Sequence, residues 1–108
     1  MSKTPLETTW LCHELGRCFL ELDQAKKAID YGQRSLAAAL EAEDDMWQLH
    51  ALVLIAQAEV KASKLQASLI SFEKAYELAN VLGEELCLFV HCILERAFYQ
   101  YTFLEYIS

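Results

Sequence analysis

Leu15-Gly16-Arg17-Cys18-Phe19, with Ala28 and Ser35 further on, returns forty residues later as Ile55-Ala56-Gln57-Ala58-Glu59 with Ser68 and Ala75. The two stretches align without a gap. Small residues at Gly16 and Ala28, and again at Ala56 and Ser68, let two helices approach closely, so each stretch reads as an antiparallel helical hairpin. Phe19 and Phe72 are expected to fill the space between layers. The fold class that follows is all-α, with two stacked hairpins and a C-terminal helix in a single domain, 1–108. The first repeat is placed at 5–43, the second at 45–82 and the last helix at 84–108.

The flanking residues give the helix limits. In Thr4-Pro5-Leu6-Glu7 the threonine caps, the proline takes the first helical position and the glutamate returns to the cap, which predicts a start at Pro5. Leu11, Leu15, Cys18, Phe19 and Leu22 then recur as a buried stripe, until Asp23 offers a new cap before Gln24. The second helix carries Ala25, Ala28, Ile29, Gly32, Leu36 and Leu40, with Asp23–Lys27 and Asp30–Arg34 as four-apart ion pairs on its wet face. The acidic cluster Glu41, Glu43, Asp44, Asp45 marks a boundary, and Asp45-Met46-Trp47-Gln48 reads as a capping box for a third helix with Leu52, Ile55, Ala56 and Val60. Ser63-Lys64-Leu65-Gln66 does the same for a fourth, with Leu65, Leu69, Phe72, Ala75 and Ala79, and Gly83 stops it. From Glu84 a fifth helix runs with Glu84, His91, Glu95 and Thr102 within about 20° of one line.

Composition narrows the function classes. Sixteen acidic residues against nine basic ones leave a net charge of −7, which argues against nucleic acid and anionic membrane as partners. Met1 to Thr9 is polar, and the longest apolar stretch, Leu86 to Leu94, is interrupted by His91, so a soluble intracellular protein is expected. Cys12, Cys18, Cys87 and Cys92 are then expected to be reduced thiols without a disulfide. Cys87 and Cys92 with His91 have the wrong spacing for a zinc knuckle, since on a helix the two thiols point about 140° apart; they read as buried small hydrophobes. His13, His50 and His91 fall singly along the predicted helices and read as exposed helical histidines. With no phosphate-cradling glycine loop and no nucleophile on a sharp turn, the chain reads as non-enzymatic, with no cofactor and no metal.

The hairpin pattern resembles the tetratricopeptide repeat family, most clearly at Leu15, Gly16, Phe19 and Ala28, with the usual repeat of about 34 residues lengthened to forty. Glu59 and Gly32 depart from it, at positions the family fills with an aromatic or leucine; neighbours such as Tyr31 and Val60 are expected to close those gaps. The string from Glu14 to Ala25, with Trp47-Gln48-Leu49 and Ala56-Gln57-Ala58, resembles more closely those members of the family that serve in outer dynein arm docking. That resemblance covers about residues 9 to 82; the aromatic tail after Gly83 does not follow it. It implies a stacked superhelix that acts as a protein scaffold, holding dynein arms on doublet microtubules of the ciliary axoneme within the cytoplasm and cytoskeleton. The partners it implies are docking-complex coiled coils and axonemal proteins. The competing expectation is a generic cytoplasmic adaptor in another multiprotein complex.

The resemblance also implies a concave groove lined by the first helix of each repeat. The matching positions are Trp10, His13, Arg17, Leu20 and Glu21, then His50, Val53, Gln57, Val60 and Lys61. Such a mixture suits an extended or helical peptide. A clamp for a terminal carboxylate needs several converging cations and amides, and Arg17 and Lys61 without a nearby asparagine do not supply it. On the fifth helix the seam Leu86, Val90, Ile93, Ala97, Tyr101 and Leu104 faces the core, and Phe89, Phe98, Tyr99, Phe103 and Tyr106 spread beyond it. That excess predicts self-association or a partner helix there.

Overall fold

The computed structural model describes the backbone from Thr4 to Ile107 and the side chains as far as Thr102. Five helices follow one another: α1 (Pro5–Glu21), α2 (Ala25–Glu41), α3 (Asp45–Lys61), α4 (Leu65–Leu82) and α5 (Glu84–Ile107). At the start of α1 the Thr4 hydroxyl accepts the Glu7 amide at 3.2 Å, with Pro5 in the first helical position. At α3 the cap is Asp44 rather than Asp45, because its extended backbone holds the carboxylate over the Trp47 amide at 2.9 Å.

The other two expected caps fail for a shared reason. Asp23 and Ser63 sit in left-handed turns, φ 59° and 61°, and Glu43 does the same at 54°. In each turn the following amide reaches back five residues: Gln24 to the Phe19 carbonyl, Asp44 to Ala39 and Lys64 to Glu59, at 2.8 to 3.0 Å. Closing the preceding helix this way fixes the left-handed residue, and the cap positions of α2 and α4 fall to Gln24 and Lys64, whose side chains make no capping hydrogen bond. The three turns recur every twenty residues, which is the mechanical origin of the forty-residue repeat. Asp23 is consequently turned away from Lys27; it lies 3.4 Å from Lys61, while Lys27 covers the Phe19 ring. Asp30 and Arg34 do pair, at 3.2 Å. Gly83, at φ 151°, ends α4 in backbone territory that favours glycine and links directly into α5.

α3 is the core of the stack. It packs against α1, α2, α4 and α5, and apart from Gln57 every residue from Ala51 to Val60 is buried. Two glycines receive it: a Cβ on Gly16 would stand 2.7 Å from Leu54 Cδ2 and 3.4 Å from the Ala28 carbonyl, and one on Gly32 would stand 2.7 Å from Ile55 Cγ1. Gly32 is therefore filled from the next layer by Ile55, not by Tyr31 or Val60. The repeats exchange their contents at matching positions. Phe19 stacks on Tyr31 at 5.4 Å inside the first hairpin, where the second has the buried Ser71 hydroxyl donating to Glu59 at 2.6 Å. Thr9 and Ser35 exchange buried hydrogen bonds at 2.7 to 2.9 Å where the second hairpin has Leu49 against Ala75.

The expected α1 stripe is corrected. Leu15, Cys18 and Leu22 are exposed, and α1 buries Thr9 and Gly16 instead. The forty-residue counterparts of Leu11, Leu15 and Cys18 are Ala51, Ile55 and Ala58, which are buried in α3. In α1 the same stripe lies at the outer edge of the stack, where Leu11 is half-buried and Leu15 and Cys18 are exposed. Leu40 and Leu69 also point outward, because Ala28, Gly32, Ser35 and Ala39 in α2 and Ser68, Phe72, Ala75 and Ala79 in α4 take the inner line. On α5 the seam is borne out through Leu86, Val90, Ile93, Ala97 and Tyr101, while the side chain of Leu104 lies outside the described residues. Glu84, His91, Glu95 and Thr102 form an exposed line, with His91 and Glu95 paired at 2.9 Å. Among the described residues no helix is long and apolar enough to cross a membrane.

Two substitutions test this packing. Gly32→Ala gains up to about 1 kcal/mol in helix propensity but drives a methyl into Ile55, so urea unfolding is expected to show a net loss of about 1 kcal/mol. Glu43→Gly relieves a left-handed glutamate and is expected to raise stability by up to about 1 kcal/mol, whereas Glu43→Val lowers it.

Candidate functional site

Because the turns reverse the chain each time, α1, α3 and α5 run in the same direction on one side of the stack. Lys61 Nζ, at the end of α3, meets the Leu20 carbonyl at 3.3 Å and Asp23 at 3.4 Å, which fixes the ends of α1 and α3 side by side. The middle of α1 and the first turns of α3 are joined by rings. His13 lies edge-on to Trp47 and His50, with centroids 5.4 and 5.8 Å away, and Trp47 lies 5.3 Å from His50. His50 continues to Phe89 of α5 at 6.4 Å.

Histidines expected to stand singly are thus brought together. Burial lowers the pKa of His13, and the positive charge that His50 and Arg17 carry when protonated acts in the same direction; Glu14 opposes it without prevailing. His13 Nδ1 is buried without a hydrogen-bond partner, the Glu14 carboxylate standing 3.5 Å away. His50 is lowered by burial as well, against the pull of Asp44. The pair is therefore neutral at pH 7, acting as polar aromatic surface rather than as charge.

The other groove positions divide. Trp10, half-exposed at 53%, lies on the surface with Arg17 and Glu21, and Arg17 is 3.4 Å from Glu14. Leu20 and Gln57 are partly exposed, and Lys61 is engaged with α1. Val53 and Val60 are core residues at 4% exposure and line no open surface, because α3 is enclosed by four neighbours and only Gln57 escapes in its middle. Trp47 was missed by position counting; its place one turn before His50 on a helix is the signal that points to it. On α5, Phe98 is half-buried: its ring lies 6.3 Å from that of Phe72, and it also lines an open groove with Tyr99. Phe89 and Tyr99 are exposed, and the side chains of Phe103 and Tyr106 lie outside the described residues. Cys92 is exposed rather than buried, and Cys87 is half-buried, its thiol donating to Asn80 at 3.3 Å.

Over 80 residues, 74% of the chain, 52% are identical to outer dynein arm-docking complex subunit 4 of Danio rerio. The chain is similar to that subunit. The subunits of the same name in Homo sapiens and Xenopus laevis are each 51% identical over 82 residues, 76% of the chain. The alignments cover only 12 to 16% of the length of these docking-complex subunits. No family model matches the sequence, and no solved structure matches it.

The imidazole pair makes stability pH-dependent. Both histidines have folded pKa values below their ordinary 6.5, so the folded state binds fewer protons than the unfolded chain. Their contribution is whole above about pH 6.5 and is lost as pH falls through the folded values. Urea midpoints are expected to drop between pH 7.5 and 5, and a His13→Gln, His50→Gln double variant to flatten that drop.

Proposed function

We propose that this chain is a non-catalytic, protein-binding scaffold of the outer dynein arm docking complex, acting at the doublet microtubules of the ciliary axoneme. The observation that carries the reading is that half the residues are identical, over three quarters of the chain, to subunits bearing that name. The hairpins are repeats of the tetratricopeptide type, lengthened to forty residues. Close approach at Gly16 against Ala28 and the buried small residues Ala56 and Ser68 support this.

Binding is assigned to the inner face of α1, α3 and α5. Trp10, Arg17, Leu20 and Glu21 present α1, and His50, Gln57 and Lys61 present α3, with His13 supporting them from below. The partners are other subunits of the complex, including its coiled coils, and axonemal proteins. An aromatic and an arginine held on rigid helices are the residue types that dominate protein interfaces.

Co-sedimentation of the purified chain with doublet microtubules from ciliated cells tests the reading. The chain is expected to pellet with the doublets, and Trp10→Ala with Arg17→Ala to weaken this at least tenfold while leaving the helical content unchanged. A chain that stays in the supernatant contradicts a docking role.

A further inference from the structure

α5 is apolar on two sides. Leu86, Val90, Ile93, Ala97 and Tyr101 pack on or within the core, and the side turned away from them carries Leu88, Cys92 and Tyr99. Leu88 is 62% exposed, Tyr99 is 76% exposed and the Cys92 thiol is exposed as well. At about 100° per residue these three fall within about 40° of one line, opposite Val90 and Ala97. Steps of four and seven residues are those of a helix that packs lengthwise on another helix. In the sequence Phe103 and Tyr106 continue them. An open groove of about 680 Å³ lies along this side of α5, bordered by Cys92, Glu95, Phe98 and Tyr99.

The charges beside the strip indicate what covers it. Glu95 and Arg96 are both exposed and stand at nearly one height on the helix. Glu95 lies about 40° to one side of the Leu88, Cys92 and Tyr99 line, and Arg96 about 60° to the other. A two-fold axis parallel to α5 sets the helix beside a copy of itself and exchanges the flanks, so the Glu95 side of each chain meets the Arg96 side of the other. Two opposite-charge contacts result from one acid and one base per chain. An antiparallel pairing centred at the same height sets Glu95 against Glu95 and Arg96 against Arg96, which is repulsive. Glu95 accepts His91 at 2.9 Å through Oε1, and its Oε2 is the oxygen that meets the guanidinium. Glu84 and Glu85 bring acid to acid at the start of the paired helices, where the two N-terminal dipoles offset part of the repulsion.

We propose that the outward side of α5 pairs in parallel with the α5 of a second copy, Leu88 on Leu88, Cys92 on Cys92 and Tyr99 on Tyr99, with Glu95 of each chain beside Arg96 of the other. The 24 residues of α5 span about 36 Å. Covering about 15 Å of its circumference over that length buries roughly 1,100 Å² in the two copies together, near the lower limit of a specific interface. Dissociation in the micromolar range follows. The pairing goes beyond the docking reading and does not need it, since the contact lies on α5 alone.

Sedimentation equilibrium of the whole reduced chain across the micromolar range is expected to show monomer and dimer in balance. Leu88→Glu and Tyr99→Glu, both at exposed sites, are each expected to weaken the dimer at least tenfold, with circular dichroism showing unchanged helical content. Arg96→Glu is expected to weaken it about tenfold, and adding Glu95→Arg to restore it to within about threefold, because reversed charges meet again in a parallel pair and not in an antiparallel one. Oxidation with copper phenanthroline is expected to join two chains through Cys92. Cys92→Ser then removes the covalent dimer, and Cys18→Ser, at the exposed thiol of α1, does not.

A monomer throughout, a dimer indifferent to Leu88→Glu and Tyr99→Glu, a charge reversal that fails to restore pairing, or a cross-link unaffected by Cys92→Ser overturns the proposal. Doublet binding by a chain that stays monomeric leaves the docking role standing and removes the pairing. A dimer that does not pellet with doublets upholds the pairing and removes the docking role.

Discussion

Leu54 and Ile55, adjacent on α3, are each seated against a glycine of the preceding hairpin, Gly16 and Gly32. Neither seat has room for a methyl group unless a buried side chain shifts. This close fit allows α3 to be enclosed by four other helices, and an enclosed α3 sets where α1 and α5 lie. The inner face is a by-product of that constraint. The rings of His13, Trp47, His50 and Phe89 meet across it because the three helices beneath them are held side by side.

Which parts of this were legible beforehand depended on how local their causes are. The start at Thr4 and Pro5 and the stop at Gly83 are decided by neighbouring atoms, and the sequence shows them directly. The caps at Asp23 and Ser63 looked equally local, yet the carbonyls of Phe19 and Glu59 claim the turn and force both residues left-handed. The stripe Leu11, Leu15, Cys18 resembled a buried face because it has the pattern of one; its counterparts in α3 are buried, and only its place at the outer edge of the stack leaves it open. Periodicity identifies an interface, not whether another layer is present to cover it.

The candidate site shows the same division. Counting along the first helix of each repeat found Trp10, Arg17, His50 and Gln57, which do reach the surface to differing degrees. It misassigned Val53 and Val60, because α3 has neighbours on more sides than α1 does. The cluster of His13, Trp47, His50 and Phe89 spans three helices, and its assembly depends on link lengths that no single motif encodes. The imidazoles of His13 and His50 connect the layers, and the burial that holds them there keeps both neutral.

Amide hydrogen exchange tests the central role of α3 most directly. If the two glycine seats hold the stack together, amides from Leu52 to Val60 exchange slowest and with the free energy of global unfolding, while α1 and the end of α5 open at lower cost. Exchange in α3 as fast as in α1, or at a free energy below that of α2 and α4, would contradict the account.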